Sequence, residues 1–193
     1  NNAGDSDEFL LVYNVRIPEN LPGGIYHTQI TFSAEPATPE PGMSPSIVTL
    51  DVRVEIRPTF RIEVQSDKSS KALDLGRVSK DNAAATGTLN FKIESNIGTT
   101  YRVTQQMTSS FMSQEGEMLD EEVFQVVSAG GQHGSLPGSG SPVEVSQAPQ
   151  TVYNSDPTGQ SDTFQLQYIV KPGSTQKAGI YRTNLAFKVE SLS

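Results

Sequence analysis

The chain has 193 residues, a formal net charge of −8, 35% hydrophobic and 19% charged residues, and no cysteine or tryptophan. The acidic balance argues against nucleic acid or an anionic membrane as the main partner. The lack of cysteine excludes disulfides, zinc–thiolate sites, iron–sulfur clusters and cysteine nucleophiles. No apolar run approaches the roughly 18 residues of a membrane span, and 16 Gly with 12 Pro suit a chain of many turns.

The chain opens at Asn1 without a basic-then-apolar leader, which is read as a removed leader or as a piece of a longer chain. Phe9, Leu11, Tyr13, Val15 and Ile17 then alternate with other residues, the period of a strand with one buried face. A turn rich in Pro and Gly runs from Pro18 to Gly24. A second strand follows, with Tyr26, Thr28, Ile30 and Phe32 on one face.

This pattern returns 155 residues later. Asp7–Glu35 and Asp162–Glu190 align without a gap, with 11 of 29 positions identical. The shared pairs include Phe9/Phe164, Leu11/Leu166, Tyr13/Tyr168, Val15/Val170, Gly24/Gly179, Ile25/Ile180, Tyr26/Tyr181 and Phe32/Phe187. In the second copy the closing strand carries Tyr181, Thr183, Leu185, Phe187 and Val189 on one face. The connection inside each copy suits either a hairpin or a crossing between sheets. Because Pro58–Ser161 precedes the second copy and almost nothing precedes the first, the match predicts residues 1–57 as the C-terminal part of a first β-sandwich module and residues 58–193 as a complete second one.

Between the copies, Pro36–Pro45 contains four prolines and predicts an exposed loop. Val48, Leu50, Val52, Val54 and Ile56 alternate with polar residues, which predicts a strand with one dry and one wet face. Arg57–Thr59 marks the module boundary, and so short a junction predicts a stiff link. Further strands are expected at Phe60–Val64, Leu73–Val78, Thr88–Glu94, Tyr101–Val103, Val123–Val127, Val143–Val145 and Gln150–Tyr153. Phe111–Glu122 is the one candidate helix, weakened by Gly116. In Ser128–Pro142, 11 of 15 residues are Gly, Ser or Pro, which predicts a mobile surface loop. Short strands at intervals of about 10–15 residues imply an all-β, immunoglobulin-like antiparallel sandwich.

Two short motifs carry a resemblance. Leu73-Asp74-Leu75-Gly76, together with Gly23-Gly24-Ile25-Tyr26 and Ala178-Gly179-Ile180-Tyr181, resembles the opening strand and closing hairpin of secreted bacterial β-sandwich modules of the spore-coat-U-like and pilin-like kind. The likeness implies export and an immunoglobulin-like fold. Leu75 stands where an aromatic residue is usual, and the cysteine pair of many pilin-like proteins is missing. The Gly-Ile-Tyr element is also similar to a tyrosine corner, although a half-buried tyrosine satisfied at a sheet edge is the preferred reading.

Chemistry-bearing residues are sparse. His27 falls on the polar face of its strand and His133 in the Gly/Ser loop, neither with a neighbour at metal-ligand spacing. Gly138-Ser139-Gly140 is low-complexity sequence rather than a nucleophile turn. Glu115, Glu117, Asp120, Glu121 and Glu122, and separately Asp156 and Asp162, offer carboxylates for calcium, but without EF-hand spacing. Tyr153 and Phe111 are the aromatics expected to be exposed. No catalytic, cofactor-binding or metal-binding residue is therefore assigned, and no cofactor. The expected function is a non-enzymatic, extracytoplasmic structural or adhesive module whose partner is a protein, or another copy, engaged through exposed strand edges. The alternative is a carbohydrate- or peptide-binding module using loops 111–122 and 128–153.

Overall fold

The computed structural model describes residues 8, 10–35, 41–42, 44–66, 72–79, 83–119 and 123–192. The expected positions Asp7, Phe9 and Asp120–Glu122, and most of the Pro36–Pro45 loop, lie outside them.

Among the described residues the regular structure is almost wholly antiparallel β, in which alternation decides which side chains turn inward. β1 (Gly24–Ala34) and β2 (Ser46–Ile56) form a two-stranded ribbon. A β-sandwich follows. Its larger sheet is ordered β3-β4-β11-β7-β9, from β3 (Phe60–Ser66), β4 (Ala85–Asn96), β7 (Phe124–Gly130), β9 (Val143–Glu144) and β11 (Gln160–Val170). The smaller sheet is ordered β13-β5-β10-β8, from β5 (Tyr101–Met107), β8 (Gly134–Ser135), β10 (Gln150–Ser155) and β13 (Leu185–Ser191). A short pair, β6 (Met112–Ser113) with β12 (Tyr181–Arg182), lies beside them.

The core lies between the two sheets. β4 contributes Leu89, Phe91 and Ile93, β5 Tyr101, Val103 and Met107, and β11 Phe164, Leu166, Tyr168 and Val170. Aromatic rings fill the core: Phe164 stacks on Phe91 of the same sheet at 4.8 Å and, across the layers, on Tyr153 at 4.7 Å, while Phe187 of the smaller sheet meets Phe91 edge-on at 4.9 Å. Rings offset in this way add roughly 0.5–1.5 kcal/mol per pair beyond their burial.

Several expectations are corrected. Phe111–Glu122 holds no helix among its described residues. Instead β6 runs into a tight loop in which the Ser113 hydroxyl accepts the N–H groups of Glu115 and Glu117, and Gly116 takes φ +84°. Leu73–Val78 joins no ladder. Its Leu73 and Leu75 pack on the core across Gly87, where an added Cβ would lie 2.7 Å from Leu73 Cδ1. Ser128–Pro142 is not one loop, since β7 extends through Gly130, Ser128 is buried and β8 pairs with β10. The stretch from Tyr181 to Val189 is two strands rather than one. Thr183 Oγ1 donates to the Ser109 carbonyl at 2.6 Å and Thr108 N donates to the Asn184 carbonyl at 2.9 Å, so the chain leaves β6 there and joins β5.

The two copies of the matched stretch occupy different settings. In the second, β11 is a central strand paired with β4 and β7, and the chain then crosses to the other sheet as β13. In the first, β1 pairs with β2, whereas Leu10–Pro18 joins no ladder. Both keep one detail. Tyr26 Oη donates to the Pro22 carbonyl at 2.8 Å and Tyr181 Oη to the Lys177 carbonyl at 2.9 Å, each four residues back. The bond back to nearby backbone, the less favoured of the two sequence readings, is the one the molecule adopts.

Candidate interaction surface

Among the described residues, the ribbon leaves one apolar sheet face largely uncovered. Its register places Tyr26 opposite Val54, Thr28 opposite Val52, Ile30 opposite Leu50 and Phe32 opposite Val48. Directly opposed residues share a face, so these eight side chains form one largely apolar surface. The reverse face carries His27, Gln29, Thr31, Asp51, Arg53 and Glu55. In the sandwich such a surface is covered by a second sheet. Here Val48 is 62% and Leu50 48% exposed.

The only layer over this surface among the described residues is the Leu10–Pro18 segment, which meets both ends of it and leaves Val48 and Leu50 of β2 exposed. Tyr13 meets Phe32 edge-on at 6.4 Å. Val15, Ile17, Pro18 and Leu21 close a shallow apolar groove of about 220 Å³ over Tyr26, Val52 and Val54. Leu10 and Val12 remain among the most exposed apolar residues of the chain. Neither ribbon strand pairs with a third strand among the described residues, so each has an open edge.

The root of the ribbon is fixed. Gly23 N donates to the Asn96 carbonyl at 2.7 Å. The Asn96 side chain accepts from Thr59 N at 2.5 Å and donates to the Arg57 carbonyl at 3.2 Å. A Cβ on Gly23 would lie 2.7 Å from Pro58 Cα, so only glycine permits this approach. The seam thus gathers the turn before β1, the Arg57–Thr59 junction and the end of β4.

The residues singled out for chemistry do not converge. His27 lies exposed opposite Arg53 on the polar face, and His133 is exposed and engaged through its backbone. Glu117 pairs with Lys177, whose ammonium is held above its ordinary value by that carboxylate. Asp156 folds onto its own turn, accepting from Thr158 N, Thr158 Oγ1 and Gln160 N. Ser139 is exposed and bridges to Ser128. Among the described residues no group of three His, Cys, Asp or Glu side chains is placed to hold a metal ion. None of the described helices is long and apolar enough to cross a membrane.

Phe111 and Tyr153, expected to be exposed, are both buried. Phe111 packs on Phe124 at 5.3 Å. A bulge in β10 breaks the alternation between Thr151 and Tyr153, which lets Val152 and Tyr153 both turn inward. The aromatic rings of loops 111–122 and 128–153 are therefore withdrawn from the surface on which a sugar would stack.

Asp162 has a role that sequence reasoning missed. Its carboxylate, 6% exposed, accepts from Gln132 N at 2.9 Å, His133 N at 2.9 Å, Thr163 N at 2.7 Å and Tyr153 Oη at 2.7 Å. Burial pushes this carboxyl up, but the N–H groups of Gln132 and His133, the Tyr153 hydroxyl and Thr163 N–H together outweigh it and hold it below its ordinary value. Beside it, burial pushes the Tyr101 hydroxyl up to about 12 and Tyr153 higher still. The cluster fastens the turn after β7 to the head of β11. The available signal was register, since Asp162 continues the inward series Phe164, Leu166, Tyr168.

No family model matches the chain, and no curated protein matches it. Among solved structures it is similar to a chain of a chaperone–tip adhesin complex described as vital for synergistic activation of CFA/I fimbriae biogenesis. The likeness has a TM-score of 0.46 and 13% identity, and spans 89% of this chain and 54% of that one.

Proposed function

We propose that the chain is a non-enzymatic, extracytoplasmic β-module of a structural or adhesive surface protein, acting through protein–protein contact at the ribbon. In this reading residues 1–57 and 58–193 are serial modules: the second buries both inner faces of its sandwich, and the first supplies one sheet and most of no second.

The observation that carries the proposal is the β1–β2 ribbon itself, with an apolar face only partly covered and two open edges among the described residues. A lone two-stranded ribbon is marginal in water. An exposed apolar face and unpaired backbone donors and acceptors both favour addition of another strand or sheet. The Asn96 seam holds the ribbon root on the sandwich, which suits presentation rather than flexible tethering. Support for export comes from the resemblance of the Leu73–Gly76 and Gly-Ile-Tyr motifs.

The test is to display the full chain on bacterial cells stripped of their own surface fibres and to measure cell–cell clumping and adherence to protein-coated surfaces. Wild type is expected to promote one or both. Leu50→Asp and Val48→Asp are expected to reduce the effect at least about tenfold, equivalent to ~1.4 kcal/mol, with the circular dichroism of the sandwich unchanged. Equal behaviour of wild type and both variants would overturn the proposal.

A further inference from the structure

We infer that the open edge of β2 is self-complementary and pairs with β2 of a second copy of this chain, antiparallel, about a two-fold axis at Val52. The inference rests on the reading of the ribbon as an interaction surface and names the occupant.

Three features select it. The first is an intact edge. β2 pairs only with β1 among the described residues, and Pro45 and Pro58 flank Ser46–Ile56 without entering it, so every residue of the strand keeps its backbone N–H. The second is parity. Directly opposed residues of an antiparallel pair share a face, so Val48, Leu50, Val52, Val54 and Ile56 continue the apolar surface only when even-numbered residues oppose even-numbered ones. That restricts the axis to a residue centre.

The third is charge. An axis at Asp51 sets Asp51 against Asp51. An axis at Arg53 sets Arg53 against Arg53 and Asp51 against Glu55. An axis at Leu50 opposes Asp51 with Thr49 and Arg53 with Ile47, forming no ion pair. An axis at Val54 opposes Arg53 with Glu55 but overlaps only residues 52–56 of the two strands. An axis at Val52 opposes Asp51 with Arg53 of the other copy twice over, sets Thr49 against Glu55, and overlaps residues 48–56. On the other face Leu50 then meets Val54, Val48 meets Ile56, and Val52 meets its own equivalent. Asp51 accepts from Gln29 at 2.8 Å and Arg53 lies 3.3 Å from Glu55, so both charges already lie along the polar face beside the edge. Closed two-fold pairing of this kind ends at a dimer, a four-stranded sheet ordered β1-β2-β2-β1 with one continuous apolar face.

Sedimentation of the full chain from about 10 µM to about 1 mM tests this, with cell adherence measured in parallel. Wild type is expected to form dimers. D51R places arginine against arginine and R53D places aspartate against aspartate, so each alone is expected to raise the dissociation constant at least about tenfold. An equimolar mixture of D51R and R53D is expected to recover a heterodimer, and the double variant D51R/R53D a homodimer. The charges are exposed, so unchanged thermal unfolding identifies each variant as folded. A monomeric wild type, or single variants that dimerise like wild type, or a mixture without recovery, would overturn the inference. If wild type is monomeric while Leu50→Asp still abolishes adherence, the second copy is wrong and the interaction surface stands. If neither readout responds to ribbon substitutions, both fall.

Discussion

The sandwich and the ribbon use the same alternation of apolar and polar residues and reach opposite outcomes. In β11 the inward series Asp162, Phe164, Leu166, Tyr168 and Val170 meets a facing sheet and every member is buried. In β2 the series Val48, Leu50, Val52, Val54 and Ile56 is as regular, yet Val48 and Leu50 stand in solvent. Alternation therefore encodes a strand with one face prepared for burial. Whether that face is buried depends on a second layer, which the strand's own sequence does not supply.

The sharpest way to break this contrast is a pair of core truncations. Phe164→Ala removes a ring stacked against both Phe91 and Tyr153 and is expected to cost about 3–5 kcal/mol. Phe32→Ala in the ribbon is expected to cost less than about 1 kcal/mol of sandwich stability. Urea midpoints followed by tyrosine fluorescence measure both, and comparable losses would show that the two regions unfold as one unit.

Asp162 gives the next largest effect. Asp162→Asn is expected to cost about 2–3 kcal/mol, because it removes the charge that four donors converge on. The carboxyl is depressed in the folded state, so its contribution is fully present above the ordinary carboxylate pKa of about 4 and is lost as pH falls below that value. Urea unfolding at pH 7 and pH 3 is expected to show a gap between wild type and variant that narrows in acid. A gap independent of pH would assign the loss to packing instead.

The smallest effects sharpen the comparison at matched positions. Tyr181→Phe removes a hydroxyl that donates to Lys177 and accepts from Gln176, at an expected cost of about 1 kcal/mol. Tyr26→Phe removes the same bond to Pro22 from an exposed ring and is expected to cost about half as much. Thermal unfolding of the two variants measures the difference. Equal losses would place the two corners in equivalent surroundings.

Much of this architecture was legible in the sequence, because alternation survives wherever a strand has one wet face. β1, β2, β3 and β4 fall where Tyr26–Phe32, Val48–Ile56, Phe60–Val64 and Thr88–Glu94 alternate, and β7 overlaps the short strand expected at Val123–Val127. The failures have local causes. Tyr153 is expected to be exposed, but a bulge, which leaves no mark in the alternation, turns consecutive residues inward. Phe111–Glu122 offered helix formers, but a serine hydroxyl capturing two backbone N–H groups and a glycine at positive φ make a tight loop the better answer. Leu73-Asp74-Leu75 reads as a strand, yet it packs across a glycine in β4 without joining the ladder. Asp162 was visible only as a charge in a core register, which is a request for buried donors that sequence alone does not locate. The Asn96 seam left no pattern, because its bonds join residues far apart in the chain.

That seam has a mechanical consequence. Asn96 ends β4, a strand laddered on one side to β3 and on the other to β11. Tension applied to the ribbon therefore enters the sandwich twice at one point, through the Arg57–Thr59 backbone into β3 and through the Asn96 bonds into β4, so two neighbouring strands share the load.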